Sequence, residues 1–188
     1  IIFFEIAILH FCSSTLLRCR IATPKIAWLG FALMVIGSVL NNVAVFRGGS
    51  SVMMTSYVPM MAEPSFYLGI ILFAVGALIG CFVFFGTLVV ARREKTYEGS
   101  IPLVTFGALT AAIIAVFTLL SGAMIIIPAW LMSLGLMTVD PLIYRTVWWA
   151  LGHSSQQINV AAHVSVWYLV AAIALGGAPQ ASGVDFAP

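Results

Sequence analysis

Long apolar runs, separated by short loops rich in arginine, lysine, glycine or proline, set the pattern of this chain. The first run, residues 1–17, is interrupted by Glu5 and His10 and is barely long enough for a bilayer, so it reads as a truncated span. A basic loop with Arg18, Arg20 and Lys25, closed by Pro24, separates it from a second run of about Ile26 to Phe46, which carries Asn41 and Asn42 near its end. The loop from Arg47 to Ser65, with a Gly-Gly-Ser-Ser stretch, Pro59 and Pro64, leads to a third run from about Phe66 to Ala91. That run stops at Arg92, Arg93, Glu94 and Lys95. The fourth starts near Pro102, where a residue without an N–H suits a first helical turn, and continues to about Ile127. An amphipathic connector with Pro128, Asp140 and Pro141 precedes the last run, about Leu142 to Leu175. It exceeds the roughly 20 residues a bilayer needs, so it must tilt or project. The pattern predicts an all-α integral membrane protein, a polytopic transmembrane helix bundle with about four full spans behind a truncated N-terminal span.

Composition agrees. Of 188 residues 62% are hydrophobic and 7% charged, with a mean hydropathy of +1.13. A soluble domain carries roughly 25% charged residues, so this chain could not cover its own surface in water. The net charge of +2, spread over scattered basic residues, excludes a nucleic-acid footprint. Cys12, Cys19 and Cys81 form no CxxC pair, haem-attachment motif or zinc spacing, and read as small apolar residues in lipid or in a helix interface. The chain begins at Ile1 in apolar sequence and ends in a Gly/Pro/Ala tail, which reads as a single membrane domain, 1–188, cut from a larger subunit. The loops 18–25 and 92–100 hold Arg18, Arg20, Lys25, Arg92, Arg93 and Lys95, whereas the alternate side holds only Arg47 and Arg145. The positive-inside rule therefore assigns those two loops to the cytoplasm of a multi-pass protein.

The last run contains the improbable chemistry. From Thr146 to His163 it carries His153, Ser154, Ser155, Gln156, Gln157, Asn159 and His163 inside membrane-spanning sequence, where polar groups are costly and usually kept for function. With His153 at zero on a helical wheel, Gln157 falls at about +40° and Tyr168 at about +60°, with Gln156 and His163 at about −60° and −80°. That half of the helix must face protein, a cofactor or water. The orientation of the loops puts His153 on the outer side of the midplane. Imidazole suits copper, zinc, iron or nickel, but one histidine makes no site, and no HExxH, DxxxD or cysteine cluster supplies partners. Read from spacing, the helix holds either a histidine bonded to a neighbouring helix or a metal or haem ligand.

The stretch Val139-Asp-Pro-Leu-Ile-Tyr-Arg145-Thr-Val-Trp-Trp149-Ala-Leu-Gly-His153 resembles the start of the sixth helix of subunit I of the haem-copper oxidases, the B-type branch above all. Upstream, Ser51-Val-Met-Met-Thr55-Ser-Tyr57-Val-Pro59 and Phe66-Tyr67-Leu68-Gly69 resemble that branch's loop between helices three and four, and Pro102-Leu-Val-Thr105 its fifth-helix start. Together these cover about residues 26–176, so the chain is similar to roughly helices two to six of that subunit.

The resemblance implies that His153 is a ligand of the active-site copper, its two partner histidines lying on a later helix. It implies two haems of unstated type, whose ligands are not identifiable here; His10 stands in the wrong place for one. His163 has no counterpart in the pattern and is expected to bond across helices. Oxygen reductases of the A and B types carry proline directly after the ligand histidine and a tyrosine four residues on. Here Ser154 and Gln157 stand instead. An amide can hydrogen-bond a ligand or water but cannot supply the electron and proton that tyrosine gives when an O–O bond is cut. Nitric oxide reductases of the superfamily also lack the tyrosine, so Gln157 tilts the expectation to NO over O2. Tyr168 matches a polar-channel tyrosine of the B-type branch that carries protons; the alternative is an interfacial aromatic anchor.

The expected protein is thus a haem-copper oxidoreductase of a prokaryotic cytoplasmic membrane, of nitric oxide reductase or cytochrome c oxidase type. It would take electrons from a donor subunit, cytochrome c, a cupredoxin or quinol, amid membrane lipid, and the piece alone would be inactive. A transporter or channel with a polar-lined helix is the remaining alternative, against which stands the lack of a visible internal repeat.

Overall fold

The structure is a computed structural model that describes residues 1–52 and 55–175. Met53 and Met54 of the Ser51–Pro59 stretch, and the Gly/Pro/Ala tail beyond Leu175, lie outside the described residues. The architecture is all-helical: α1 (Ile2–His10), continued by a π-helical turn over Phe11–Thr15, then α2 (Pro24–Phe46), α3 (Pro64–Arg93), α4 (Leu103–Ser133) and α5 (Pro141–Ala174). Helices α2 to α5 are long and apolar enough to cross a membrane, and the helical stretch Ile2–Thr15 falls short of that length. These are the four full spans, and the short helical segment before them, that the hydrophobic pattern predicts.

One boundary differs from expectation. Pro128 lies inside α4, which continues to Ser133, whereas the apolar pattern placed the helix end near Ile127 and Pro128 in a connector. A proline removes a single i→i−4 hydrogen bond, and a long membrane helix absorbs that loss where neighbouring polar groups take up the freed carbonyl.

The helix ends are set by local chemistry. Gly48 (φ 77°) and Gly135 (φ 73°) take the left-handed conformation just past α2 and α4, and there Gly49 N–H donates to Ala44 O at 2.9 Å and Leu136 N–H to Leu131 O at 3.0 Å. This is the six-to-one closure that satisfies orphan carbonyls at a helix C-terminus. Lys95 (φ 51°) closes α3 in the same way, with Thr96 N–H on Ala91 O at 3.1 Å. Arg18 (φ 50°) does so for the first helical segment, through Cys19 N–H on Ser14 O at 3.0 Å. Both non-glycine positions place a cation where the helix dipole is negative, which offsets part of the left-handed strain. At the other end, Asp140 caps α5: its Oδ1 accepts from Leu142 N–H at 2.9 Å and Ile143 N–H at 2.8 Å, with Pro141 in the first turn.

The chain divides into two compact units. One comprises Trp28–Ile79 and Val116–Ser155. In it α2 and α3 run antiparallel at backbone contact: a Cβ on Gly30 would lie 3.0 Å from Gly76 O, one on Gly69 2.8 Å from Gly37 O, and one on Gly37 2.6 Å from Phe73 N. Glycines spaced seven apart on each helix therefore form a seam in which the backbones themselves are the packing surfaces, as small residues permit in lipid. The core of this unit joins the loop residues Val52, Val58 and Ala62 to Phe66, Tyr67, Ile125, Ala129, Tyr144 and Trp148.

The other unit comprises Ile1–Ala27, Gly80–Ala115 and the chain from Gln156 on. Ile6 of α1 packs on Gly80 of α3, and Thr105 Oγ1 of α4 donates to Cys12 O at 2.9 Å. Ser165 of α5 donates to Val104 O. The basic loops meet here: Arg20 Nε lies 3.1 Å from Glu94 Oε1, and Leu17, Cys19 and Ala91 pack together with Leu88 and Tyr97 beside them. The two loops assigned to one side of the membrane by charge are thus side by side. Cys12, Cys19 and Cys81 are free and buried, as expected of small interface residues.

The glycine seam yields a stability test. In the intact protein Gly37→Ala and Gly76→Ala, whose new methyl groups meet backbone atoms that cannot yield, should each cost about 1–3 kcal/mol. Gly80→Ala, which meets only the end of the Ile6 side chain at 3.0 Å, should be close to neutral. Thermal unfolding midpoints in detergent measure the difference, and equal midpoints for all three variants would remove the seam as a packing constraint.

Candidate functional site

The foot of α5 is an aromatic platform. Tyr144 and Trp148 point into the core from successive turns, and Tyr57 of the loop between α2 and α3 stacks edge-on against both, with ring centroids 6.3 Å and 5.7 Å away. Tyr144 OH donates to Thr55 O at 3.3 Å, which ties the same loop to the helix. Trp149 stands edge-on to Trp148 at 5.0 Å but is exposed. Two of the sequence stretches singled out above, Ser51–Pro59 and Val139–His153, are therefore packed against each other.

Gly152 follows from that platform. A Cβ there would fall on the Trp148 ring, which lies one turn below it, within 2.8 Å of Cε3. The pairing of glycine with histidine has a steric reason: Gly152 lets the buried indole lie along the helix wall directly beneath His153. The backbone that carries His153 is held by a packed aromatic group rather than by side-chain hydrogen bonds.

Among the polar residues of α5 two groups stand out. Thr146, Ser154 and Ser155 satisfy themselves on their own helix, donating to Leu142 O at 2.9 Å, Ala150 O at 2.5 Å and Gly152 O at 2.8 Å. His163 does likewise, its Nδ1 lying 2.6 Å from Asn159 O. The expectation that His163 bonds across helices is corrected: its hydrogen bond runs back one turn, because a histidine Nδ1 reaches the carbonyl at i−4 without any partner helix. With Nδ1–H donating, Nε2 is left as the acceptor nitrogen.

His153, Gln156 and Gln157 form the second group. All three are exposed, and their side chains have no hydrogen-bond partner among the described residues. They share one face of a continuous helix, Gln157 one turn beyond His153 and Gln156 on its flank. Tyr168, 47% exposed, stands further along α5 on the same side of the wheel. Polar groups left open in a membrane helix require a partner from outside the described residues.

That arrangement can hold a metal only in part. Among the described residues no three His, Cys, Asp or Glu side chains converge. The donor chemistry of His153 fits copper, with an unengaged imidazole on an exposed face, and it would supply one ligand.

A second polar locus, which the sequence pattern did not mark as a site, lies in α1. Glu5 is buried to 6% exposure, and neither its Oε1 nor the buried Nδ1 of His10 has a hydrogen-bond partner among the described residues. As interruptions of an apolar run, Glu5 and His10 show their cost in the sequence, but the burial of Glu5 depends on tertiary packing.

The sequence matches that of known proteins. The family model described as "Cytochrome C and Quinol oxidase polypeptide I" matches residues 1–182. The chain is 30% identical over 132 residues to "Cytochrome c oxidase subunit 1" of Thermus thermophilus, an alignment covering 67% of this chain and 23% of that protein. The chain thus spans about a quarter of the length of that relative. The family match runs from the buried Glu5 helix through the aromatic platform to the far end of the polar helix. On that extent of agreement the chain belongs to the cytochrome c and quinol oxidase polypeptide I family, the subunit I polypeptides of the haem-copper oxidases.

Proposed function

We propose that residues 1–188 form one membrane domain of the catalytic subunit of a haem-copper respiratory reductase, in a prokaryotic cytoplasmic membrane with loops 18–25 and 92–100 on the cytoplasmic side. The observation that carries this reading is the division of polar groups on α5. Thr146, Ser154, Ser155 and His163 bond to their own helix, whereas His153 and Gln157 stand open on a shared face.

His153 is the copper ligand that this chain contributes, and copper with a neighbouring haem supplies the electron-transfer chemistry when bound. Neutral imidazole is the form that ligates, so one nitrogen of His153 faces the metal while the other is free for an orienting partner. Trp148 and Gly152 fix the helix wall from which the imidazole projects. Gln157 orients substrate or water with its amide, which accepts and donates but carries no redox equivalent. Tyr168 offers a hydroxyl further along the same face and passes protons toward the site. Electrons arrive from a donor subunit, cytochrome c, a cupredoxin or quinol.

The substrate favoured by Gln157 is NO. Its reduction takes two electrons for two molecules and cuts no O–O bond, so it needs no tyrosine beside the ligand. A second reading, O2, is favoured by the relative named cytochrome c oxidase.

Two outcomes are expected of the intact enzyme. His153→Ala should abolish copper occupancy and lower turnover by orders of magnitude while the haem absorption bands persist; unchanged copper by elemental analysis would sink the ligand assignment. Purified wild-type enzyme should consume NO faster than O2 at equal electron supply. Four-electron O2 consumption without peroxide release, at a rate above that for NO, would reverse the substrate assignment.

A further inference from the structure

Where α3 turns into α4, a cavity of about 510 Å³ opens at the edge of the membrane-spanning region. Its rim carries Arg92 and Lys95 with the phenol of Tyr97, and its lower wall is Leu88, Val89, Phe106 and Leu109. Charge and apolar surface are ordered along one direction, since Leu88 and Val89 lie a turn inside α3 from Arg92, and Phe106 and Leu109 lie in the first turns of α4. Val89 and Phe106 are 51% and 36% exposed, so the wall is open to lipid.

The acidic groups nearby do not neutralise the rim. Glu94 is engaged by Arg20 at 3.1 Å, and the exposed Glu98 does not line the cavity. Arg92 and Lys95 have no ion-pair partner among the described residues. Arg92 projects from the last turn of α3, and Lys95 from the left-handed position that closes that helix before Gly99 (φ 77°).

We infer that this cavity binds an anionic phospholipid, its phosphate between Arg92 and Lys95 and the start of an acyl chain along Leu88, Phe106 and Leu109. The volume lies within the roughly 300–1,000 Å³ usual for small-molecule sites. A free phosphate would use the rim and leave the apolar wall uncovered. A zwitterionic lipid would use the wall but bring its own cation to two unpaired ones. The anionic amphiphile alone satisfies both parts, as basic pockets at membrane-helix ends do. The assignment is independent of copper, of the substrate and of which side of the membrane the loop occupies.

The test uses the intact purified oxidoreductase in detergent, delipidated and titrated with phosphatidylglycerol or phosphatidylcholine, with bound lipid counted by native mass spectrometry. Wild type should retain one phosphatidylglycerol in preference to phosphatidylcholine. Arg92→Gln and Lys95→Gln should each weaken retention roughly five-fold, the contribution expected of one basic residue near an anionic lipid. Arg93→Gln, at the same helix end but outside the lining, should leave it unchanged. Equal retention of the two lipids, or an equal loss with Arg93→Gln, would overturn the site. Displacement of the lipid by millimolar inorganic phosphate would show a simple anion site and overturn the lipid assignment. Haem absorption in each variant confirms folding, and the two single variants provide independent readings.

Discussion

In hydrocarbon no water is available to a backbone or side-chain polar group, and this one constraint organises the molecule. It makes every described spanning segment a helix. It also explains why hydroxyls within the helices turn back on their own carbonyls: Ser13 to Leu9, Thr87 to Val83, Thr110 to Phe106 and Ser121 to Phe117. A self-bonded hydroxyl costs little in lipid and carries no information about function. Against that background the open imidazole and amides of α5 stand apart, because nothing within the described chain satisfies them.

The same solvent alters what holds helices together. Lipid tails are as apolar as leucine, so burial of hydrocarbon gives no net drive between helices, and close van der Waals approach takes its place. The α2–α3 glycine seam is that approach taken to backbone contact. Within the same unit the second device is aromatic. Tyr57, Tyr144 and Trp148 lock the loop before α3 to the foot of α5, and Gly152 is the gap that the indole requires. The helix that presents His153 is thereby held in register by packing, leaving the imidazole itself uncommitted. A ligand histidine tied up by local hydrogen bonds would have to break them to bind metal; His153 has none to break among the described residues.

Charge is handled at the membrane edges. Basic residues terminate the first helical segment and α3, where they answer the negative end of the helix dipole. The Arg20–Glu94 pair is exposed at 68% and 42%, and such pairs are worth no more than about 1 kcal/mol. It engages Glu94, one of the two carboxylates near the Arg92–Lys95 rim, Glu98 being the other.

Much of this was legible in the sequence. Apolar run length determined the number of spans and their limits to within a few residues, because the bilayer imposes a length on each. The polar block of α5 was legible too, since it is a local pattern along one helix. Pro128 misled because a breaker in water is tolerated in a long membrane helix. What only the tertiary structure decided was which polar groups are spent and which are free. His153 and His163 look alike in sequence, yet one is open and the other is bonded to Asn159 O. Glu5 looked like an interruption until tertiary packing buried it. The glycines of α2 and α3 gained meaning only when paired across two helices. These are relations between residues distant in sequence, and the hydrophobic pattern of a membrane helix, uniform around its circumference, does not encode which face meets which neighbour.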